Sequence, residues 1–216
     1  MAGCCGSGAK FDGVSDDYKR RLWLVIALNA IMFAVEITAG HMAQSQALQA
    51  DALDFLGDAL TYGITLAVIG ASVRVRTGAA LAKAASLFLM GAWVFGATVY
   101  RVLFLGVPEA HVMGVVGALA LLTNLACVLI LVRYKDGDAN VRSVWLCSRN
   151  DAIGNVAVMV AALGVWGTAT GWPDVIVAAI MAGLFLSSAT QIFRQALQER
   201  RDMGEAAKPA TSAVGG

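Results

Sequence analysis

The sequence predicts an all-α polytopic membrane protein, a bundle of six transmembrane helices with both termini in the cytoplasm. Three observations carry that prediction. The first is composition: 58% of the 216 residues are hydrophobic and 14% are charged, whereas a soluble domain averages about 45–50% apolar and about 25% charged. The second is a series of six apolar segments, each long enough to cross a hydrocarbon core of about 30 Å at about 1.5 Å per residue. The third is a strict alternation of Lys and Arg between the connections.

The elements follow in order. Residues 1–21, MAGCCGSGAKFDGVSDDYKRR, are polar and hold no apolar core, so they show no cleavable signal peptide and are read as a cytoplasmic N-terminal tail. The apolar segments run over residues 22–40, 50–73, 79–105, 111–132, 143–167 and 174–197. Together, residues 22–197 make one transmembrane domain. The turn GWPD leads into the last segment, with Pro173 near a first helical turn, where its missing N–H costs little. Residues 198–216, QERRDMGEAAKPATSAVGG, have no apolar period and are expected to form a short, disordered cytoplasmic tail. The alternating ten-residue segments of a transmembrane barrel are absent, and no internal repeat is visible.

Charge fixes the expected orientation. Lys10, Lys19, Arg20 and Arg21 precede the first span; Arg74 and Arg76 follow the second; Arg133, Lys135 and Arg142 follow the fourth; Arg200, Arg201 and Lys208 follow the sixth. The remaining connections, 41–49, 106–110 and 168–173, contain no Lys or Arg. The positive-inside rule then places both termini in the cytoplasm. The net charge is +1, from 16 Lys and Arg against 15 Asp and Glu, which excludes the concentrated basic face that nucleic acid requires. Cys4, Cys5, Cys127 and Cys147 have no disulfide-framework or zinc-knuckle spacing. The paired Cys4 and Cys5 read equally well as an acylated or disordered terminus and as a metal-capture pair. No P-loop pattern is present, so ATP drive has no support.

The intramembrane acids carry the chemistry. A charge at the bilayer centre costs at least about 2.5–3.5 kcal/mol on insertion scales, yet ADALDFLGDAL in the second span holds Asp51, Asp54 and Asp58. At about 100° per residue the three fall on one narrow face, which must meet water, protein or a cation. The fifth span repeats the spacing in SRNDAIGNVAVM, where Asp151 and Asn155 are four apart. Oxygen-bearing side chains at i and i+4 lie about 5–6 Å apart at Cβ and can close on one ion at about 2.0–2.2 Å. Counting about 1.5 Å per residue from the segment ends puts Asp58 level with Asn155, with Asp54 and Asp151 several ångströms off that level. These depths are compatible with a shared four-ligand midplane site and do not by themselves establish one.

Other residues divide between a role in that site and a structural one. Polar contact between helices is the structural alternative for Asp54, Asp58 and Asp151, and interhelical hydrogen bonding for Asn155. Asp51 also suits a helix N-terminus. Glu36 stands seven residues after Asn29, on nearly the same face, where it could line a water path or accept a proton, or simply pack. Lys83 and Arg101 are expected to snorkel, Arg149 to face away from Asp151, and Asn124 and Cys127 to pack. His41 and His111 are expected in solvated outer ends. Trp145, Trp166, Trp172 and Tyr100 fit interfacial anchors, and Gly91, Gly96, Gly114 and Gly117 fit helix packing.

The stretch SQALQADALDFLGDALTYGITL resembles the second span of the cation diffusion facilitators, proton-coupled exporters of divalent transition metals. There a Ser-x-Ala-Leu-x-x-Asp-Ala lead-in precedes a His/Asp-x-x-x-Asp ligand pair. Asp54 and Asp58 occupy the pair, and Asp51 matches the preceding acid. NDAIGN resembles the family's fifth-span pair, with Asp151 first and Asn155 second; TGWPDVIVAAIMAGLFL resembles the link into the sixth span. Three departures stand out. The chain stops too soon for the family's cytosolic metal-binding domain, YKDGDANVR lacks the histidines of many zinc members, and Asn155 replaces the usual Asp.

The resemblance implies a transporter rather than an enzyme, with no resident cofactor. It implies efflux of divalent cations, Zn²⁺ first and Co²⁺ or Cd²⁺ next, out of the cytoplasm in exchange for protons. The implied metal ligands are Asp54, Asp58, Asp151 and Asn155, with Asp51 and Glu36 as proton or path residues. It further implies a homodimer in the lipid bilayer, placed in a bacterial inner membrane. An all-oxygen site also suits Mn²⁺ or Fe²⁺. The rival readings are a passive cation channel and, less well supported, a membrane redox subunit, since both histidines lie at the outer edge, or an aspartyl membrane protease.

Overall fold

Serine opens both of the first two helices. Ser15 accepts a hydrogen bond from the Tyr18 N–H at 3.3 Å, and Ser45 accepts one from the Leu48 N–H at 3.1 Å. Each satisfies one of the donors that a helix start leaves unpaired. The computed structural model describes residues 15–68, 73–104, 106–135 and 139–206. Among these, the long helices are α1 (Asp16–Met42), α2 (Gln46–Ala67), α3 (Val73–Leu103), α4 (Ala110–Leu131), α5 (Ala139–Thr168) and α6 (Trp172–Ala206), with a 3-10 turn at Val132–Tyr134 after α4. No strand occurs among the described residues.

The chain is an all-α polytopic membrane protein. Five helices carry stretches long and apolar enough to span: Asp16–Met42, Gly78–Leu103, Ala110–Tyr134, Ser148–Thr168 and Trp172–Arg194. The helix that falls short on composition is α2, because Asp51, Asp54 and Asp58 lie within three turns of one another. Polarity is distributed as lipid demands. Trp166 is 80% exposed and Trp93 and Leu129 are 70% exposed, while Glu36 and Asn155 are 0% exposed and Asn29 is 1%. Such an outside has no reason to face water, and such an inside must find its partners within the protein.

Most helices outrun the apolar segments that predict them. α1 begins at Asp16 and so includes part of the expected N-terminal tail. α6 continues to Ala206, so residues 198–206 are helical where the composition suggests a disordered tail. Helical hydrogen bonding does not stop where hydropathy does; polar end turns simply continue the ladder into the interface. Residues 1–14 and 207–216 lie outside the described residues, as do the Cys4–Cys5 pair and the side chains of Cys147 and Trp145.

The connections 43–45, 106–109 and 169–171 share one end of the bundle. There the Glu109 N–H donates to the Ala43 carbonyl at 3.1 Å, and Ser45 meets Asp174 of α6. At the opposite, terminal end, Tyr134 donates to Asp17 and stacks edge-on against Tyr18, with ring centroids 5.1 Å apart. The principal packing partners form two rings of helices: α1, α2, α5 and α4 in one, and α2, α3, α6 and α5 in the other. α2 and α5 belong to both, so their seam lies at the centre of the bundle.

Two expectations about α3 change. Lys83 reaches Thr65 of α2 at 2.7 Å, and Arg101 donates to the Gln44 carbonyl at 2.9 Å, so both cations brace α2 rather than only reaching for the interface. The glycines divide. A Cβ on Gly91 would stand 3.0–3.1 Å from Leu186 and Phe185 of α6, and one on Gly117 3.3 Å from Met159 of α5. Gly96 and Gly114 face open space. We therefore expect Gly91→Leu to separate α3 from α6 and cost about 1–3 kcal/mol of overpacking. Thermal unfolding in detergent should show a lower Tm for Gly91→Leu and a parental Tm for Gly96→Leu.

Candidate metal site

The site is built from the way α2 and α5 face each other. The Asp151 carboxyl lies within hydrogen-bonding reach of both Asp54 and Asp58. One turn further along α2, the Tyr62 hydroxyl donates to Asp58 Oδ2 at 2.5 Å and lies 3.4 Å from Ser148 Oγ. Residue numbers rise along α2 as they fall along α5, so Asp58 faces Asp151 and Tyr62 faces Ser148. Continuing that antiparallel register by one turn sets Asn155 on the same seam, alongside Asp54 and about 6 Å along α5 from Asp151. Asn155 is 0% exposed, and among the described residues neither its amide nitrogen nor its oxygen has a hydrogen-bond partner. A buried amide with both ends unsatisfied is costly unless something occupies the seam beside it.

This register corrects the depth estimate. Counting from segment ends puts Asp58 level with Asn155; the contacts put Asp58 level with Asp151, one turn away. The estimate fails because α2 starts at Gln46 and α5 at Ala139, so the hydropathy boundaries are not a common reference plane. Among the described residues, no three His, Cys, Asp or Glu side chains converge as a ready-made cage. The three aspartates instead meet pairwise through Asp151, and Asn155 is buried one turn further along α5.

A second acidic pair sits beside the first. Glu36 of α1 and Asp51 of α2 are buried close to each other, at 0% and 1% exposure, and both Glu36 oxygens and Asp51 Oδ2 lack a hydrogen-bond partner among the described residues. Asp51 precedes Asp54 by nearly one turn, toward the connection end. Asn29 of α1 donates to the Val25 carbonyl at 2.8 Å and lies 3.9 Å from Cys127 Sγ of α4. Cys127 is in turn within electrostatic range of Asp58. Cys127, read from sequence as packing, thus touches Asn29, which the sequence pairs with Glu36; Asn124, also read as packing, is buried, whereas Arg149 is exposed, as its position predicts.

Apolar clusters close this layer at both ends. Toward the connections lie Ala47, Leu48, Met113, Val165 and Phe185; toward the termini lie Tyr18, Leu22, Val25, Cys127 and Leu131. Low polarity above and below strengthens every electrostatic interaction between them.

Three contributors escape the sequence reading. Tyr62 and Ser148 brace the acids, and the signal for Tyr62 is legible in retrospect: it stands four residues after Asp58, on the same face. The third is Asp174. Its carboxylate accepts the Ser45 hydroxyl at 2.6 Å, the Gln46 N–H at 2.8 Å and the Ala47 N–H at 3.0 Å. An α6 acid therefore caps α2, and no local pattern could reveal a partner so distant in sequence.

A polytopic helical membrane protein whose buried oxygen donors line a central α2–α5 seam is the class these features define. The chain belongs to the family described as the cation efflux transmembrane domain, whose model matches residues 22–199. It is similar to the metal cation efflux system protein CzcD of Cupriavidus metallidurans, with 27% identity over 186 residues, 81% of this chain and 58% of that protein. It is similar to the cation efflux system protein CzcD of Alcaligenes sp., with 25% identity over 210 residues, 88% of this chain and 66% of that protein. It is also similar to the zinc transporter ZitB of Escherichia coli, with 26% identity over 200 residues, 85% of this chain and 63% of that protein. The chain thus spans about three-fifths of the length of these relatives.

The cap gives a direct test. Asp174→Ala removes the acceptor of three donors around the start of α2 and should cost about 2–4 kcal/mol, in the range for charge-assisted hydrogen bonds left unmade. We expect a large drop in Tm, partly restored in Asp174→Asn, whose amide oxygen can still accept.

Proposed function

We propose that this chain is the membrane domain of a secondary transporter that moves divalent transition-metal cations out of the cytoplasm in exchange for protons. The observation that carries the proposal is the meeting of Asp54, Asp58 and Asp151 on one seam, with Asn155 on the same face. Four oxygen donors drawn from two helices suit four-coordinate binding at about 2.0–2.2 Å. Zn²⁺ is the first candidate, supported by the similarity to the zinc transporter ZitB, with Co²⁺ and Cd²⁺ next.

The chemistry of exchange follows from the donor set. Carboxylate oxygens bind either a proton or a metal, so acid and cation compete for the same atoms. Loading from the cytoplasmic side displaces protons, and reprotonation from outside releases the metal. The apolar clusters at both ends mean that access requires helices to shift, first on one side and then on the other. The Glu36–Asp51 pair, one turn from Asp54, is placed to hold a proton on the way in. Lys19, Arg20 and Arg21 at the terminal end support cytoplasmic termini by the positive-inside rule. We assign the protein to the bacterial inner membrane and expect a homodimer.

Reconstitution in liposomes tests this reading. With a pH gradient imposed, Zn²⁺ uptake should saturate and depend on the gradient, and Asp58→Ala should lower it at least about tenfold, since even indirect supports of a metal site are worth about 10–100-fold. Uptake that neither saturates nor follows the gradient assigns conduction instead. No uptake of Zn²⁺, Co²⁺, Cd²⁺ or Mn²⁺ contradicts the proposal outright. In equilibrium binding, Zn²⁺ affinity should fall as pH falls, because the protons that return occupy the ligand oxygens; an affinity that rises toward acid pH has the wrong sign.

A further inference from the structure

We propose that Tyr62 is a specificity-determining residue: by engaging one oxygen of Asp58, it restricts that carboxylate to one-oxygen ligation and so favours small four-coordinate cations over larger ones. The inference rests on the reading of Asp58 as a metal ligand and adds a residue outside the ligand set. Tyr62 is 1% exposed, and its hydroxyl donates to Asp58 Oδ2 at 2.5 Å. A phenol has a single proton. With that proton given to Asp58, the Ser148 oxygen lies 3.4 Å from the phenol oxygen on the α5 side. The result is a polar chain of Ser148 on α5 with Tyr62 and Asp58 on α2. It spans the seam, and Ser148 is 0% exposed.

The consequence lies in coordination number. Oδ2 of Asp58 gives one of its two lone-pair sites to the phenol, which makes it the more crowded and weaker donor and leaves Oδ1 the better one for a cation. One oxygen from each of four side chains makes four ligands, the number Zn²⁺ prefers. Larger, harder cations gather more oxygens at longer distances, commonly by taking both oxygens of a carboxylate. A carboxylate with one oxygen committed to a strong donor serves them poorly. Outer hydrogen bonds that orient ligands in this way tune metal sites generally. Burial sharpens the effect, because the phenol is shielded from bulk solvent.

The experiment is metal uptake by proteoliposomes of the full chain, measured for Zn²⁺ and for Mn²⁺, with KM and maximal rate determined separately. Four proteins are compared: the parent, Tyr62→Phe, Ser148→Ala and Asp58→Ala. Tyr62→Phe keeps the ring and frees Oδ2. It should lower the Mn²⁺ KM relative to the Zn²⁺ KM by about three- to tenfold, the worth of one hydrogen bond. Ser148→Ala, which removes only the outer link, should shift the ratio in the same direction by less, and it keeps the test alive if Tyr62→Phe folds poorly. Asp58→Ala should abolish uptake of both ions. A parental KM ratio in Tyr62→Phe and Ser148→Ala, with Asp58→Ala inactive, overturns the role of Tyr62 and leaves the site standing. Equal loss of maximal rate for both ions in Tyr62→Phe, with no change in the ratio, also overturns it, since that is what a merely structural tyrosine would do. Full activity in Asp58→Ala overturns the site itself and the inference with it.

Discussion

A carboxylate cannot be left in hydrocarbon, and the rest of this structure follows from that constraint. α2 carries Asp51, Asp54 and Asp58 on one face, so every one of those groups must be answered by protein. The fold answers by placing α2 at the centre, against α1, α3, α5 and α6. Its neighbours contribute Glu36, Lys83, Asp151 and Asp174 to its polar surface or its ends. The outer helices present Trp, Leu and Phe to lipid and need no such arrangement. Position in the bundle is thus decided by charge, helix by helix, and not by hydropathy alone.

Placement at the centre is not enough for a site; the helix must also be fixed along its axis. A shift of one residue on α2 moves each acid by about 1.5 Å and 100°, which would break the facing of Asp58 with Asp151. Three attachments prevent this. Asp174 caps the start of α2, Arg101 holds the Gln44 carbonyl just before it, and Lys83 grips Thr65 near its end. Gln44 itself adopts a left-handed backbone, φ 54°, a conformation that a residue with a Cβ takes only when its surroundings enforce it. The chemistry in the middle of the membrane is therefore anchored by polar contacts near both ends of α2. The two jobs are separable: the anchors bear on stability, while the seam residues are those proposed to bind the cation.

Much of this is legible in the sequence. Helix number, the existence of the acid-bearing span, and the pairing of α2 with α5 follow from hydropathy and from i, i+4 spacing of Asp54 with Asp58 and Asp151 with Asn155. The register between the two helices does not follow. Hydropathy marks where lipid contact ends, and helices such as α5 and α6 continue well past that point, so depths counted from the segment ends are off by a turn. The roles of Tyr62 and Asp174 are hidden for different reasons. A tyrosine in an apolar span reads as packing until its hydroxyl is seen against a carboxylate. An acid after Pro173 reads as an ordinary helix-start charge until the distant helix it caps is known. Lys83 and Arg101 look like snorkelling cations for the same reason: their partners lie on another helix.

The central claim is that one cation binds between α2 and α5 through light-atom donors from both helices. Zinc K-edge X-ray absorption on purified protein loaded with one equivalent of Zn²⁺ addresses it directly, alongside the bound-zinc content of Asp151→Ala. The account requires a shell of about four oxygen or nitrogen neighbours near 2.0 Å, and loss of the bound zinc when the α5 carboxylate is removed. A sulfur shell at about 2.3 Å, which would bring Cys127 or another cysteine into the site, contradicts it, as does undiminished zinc in Asp151→Ala.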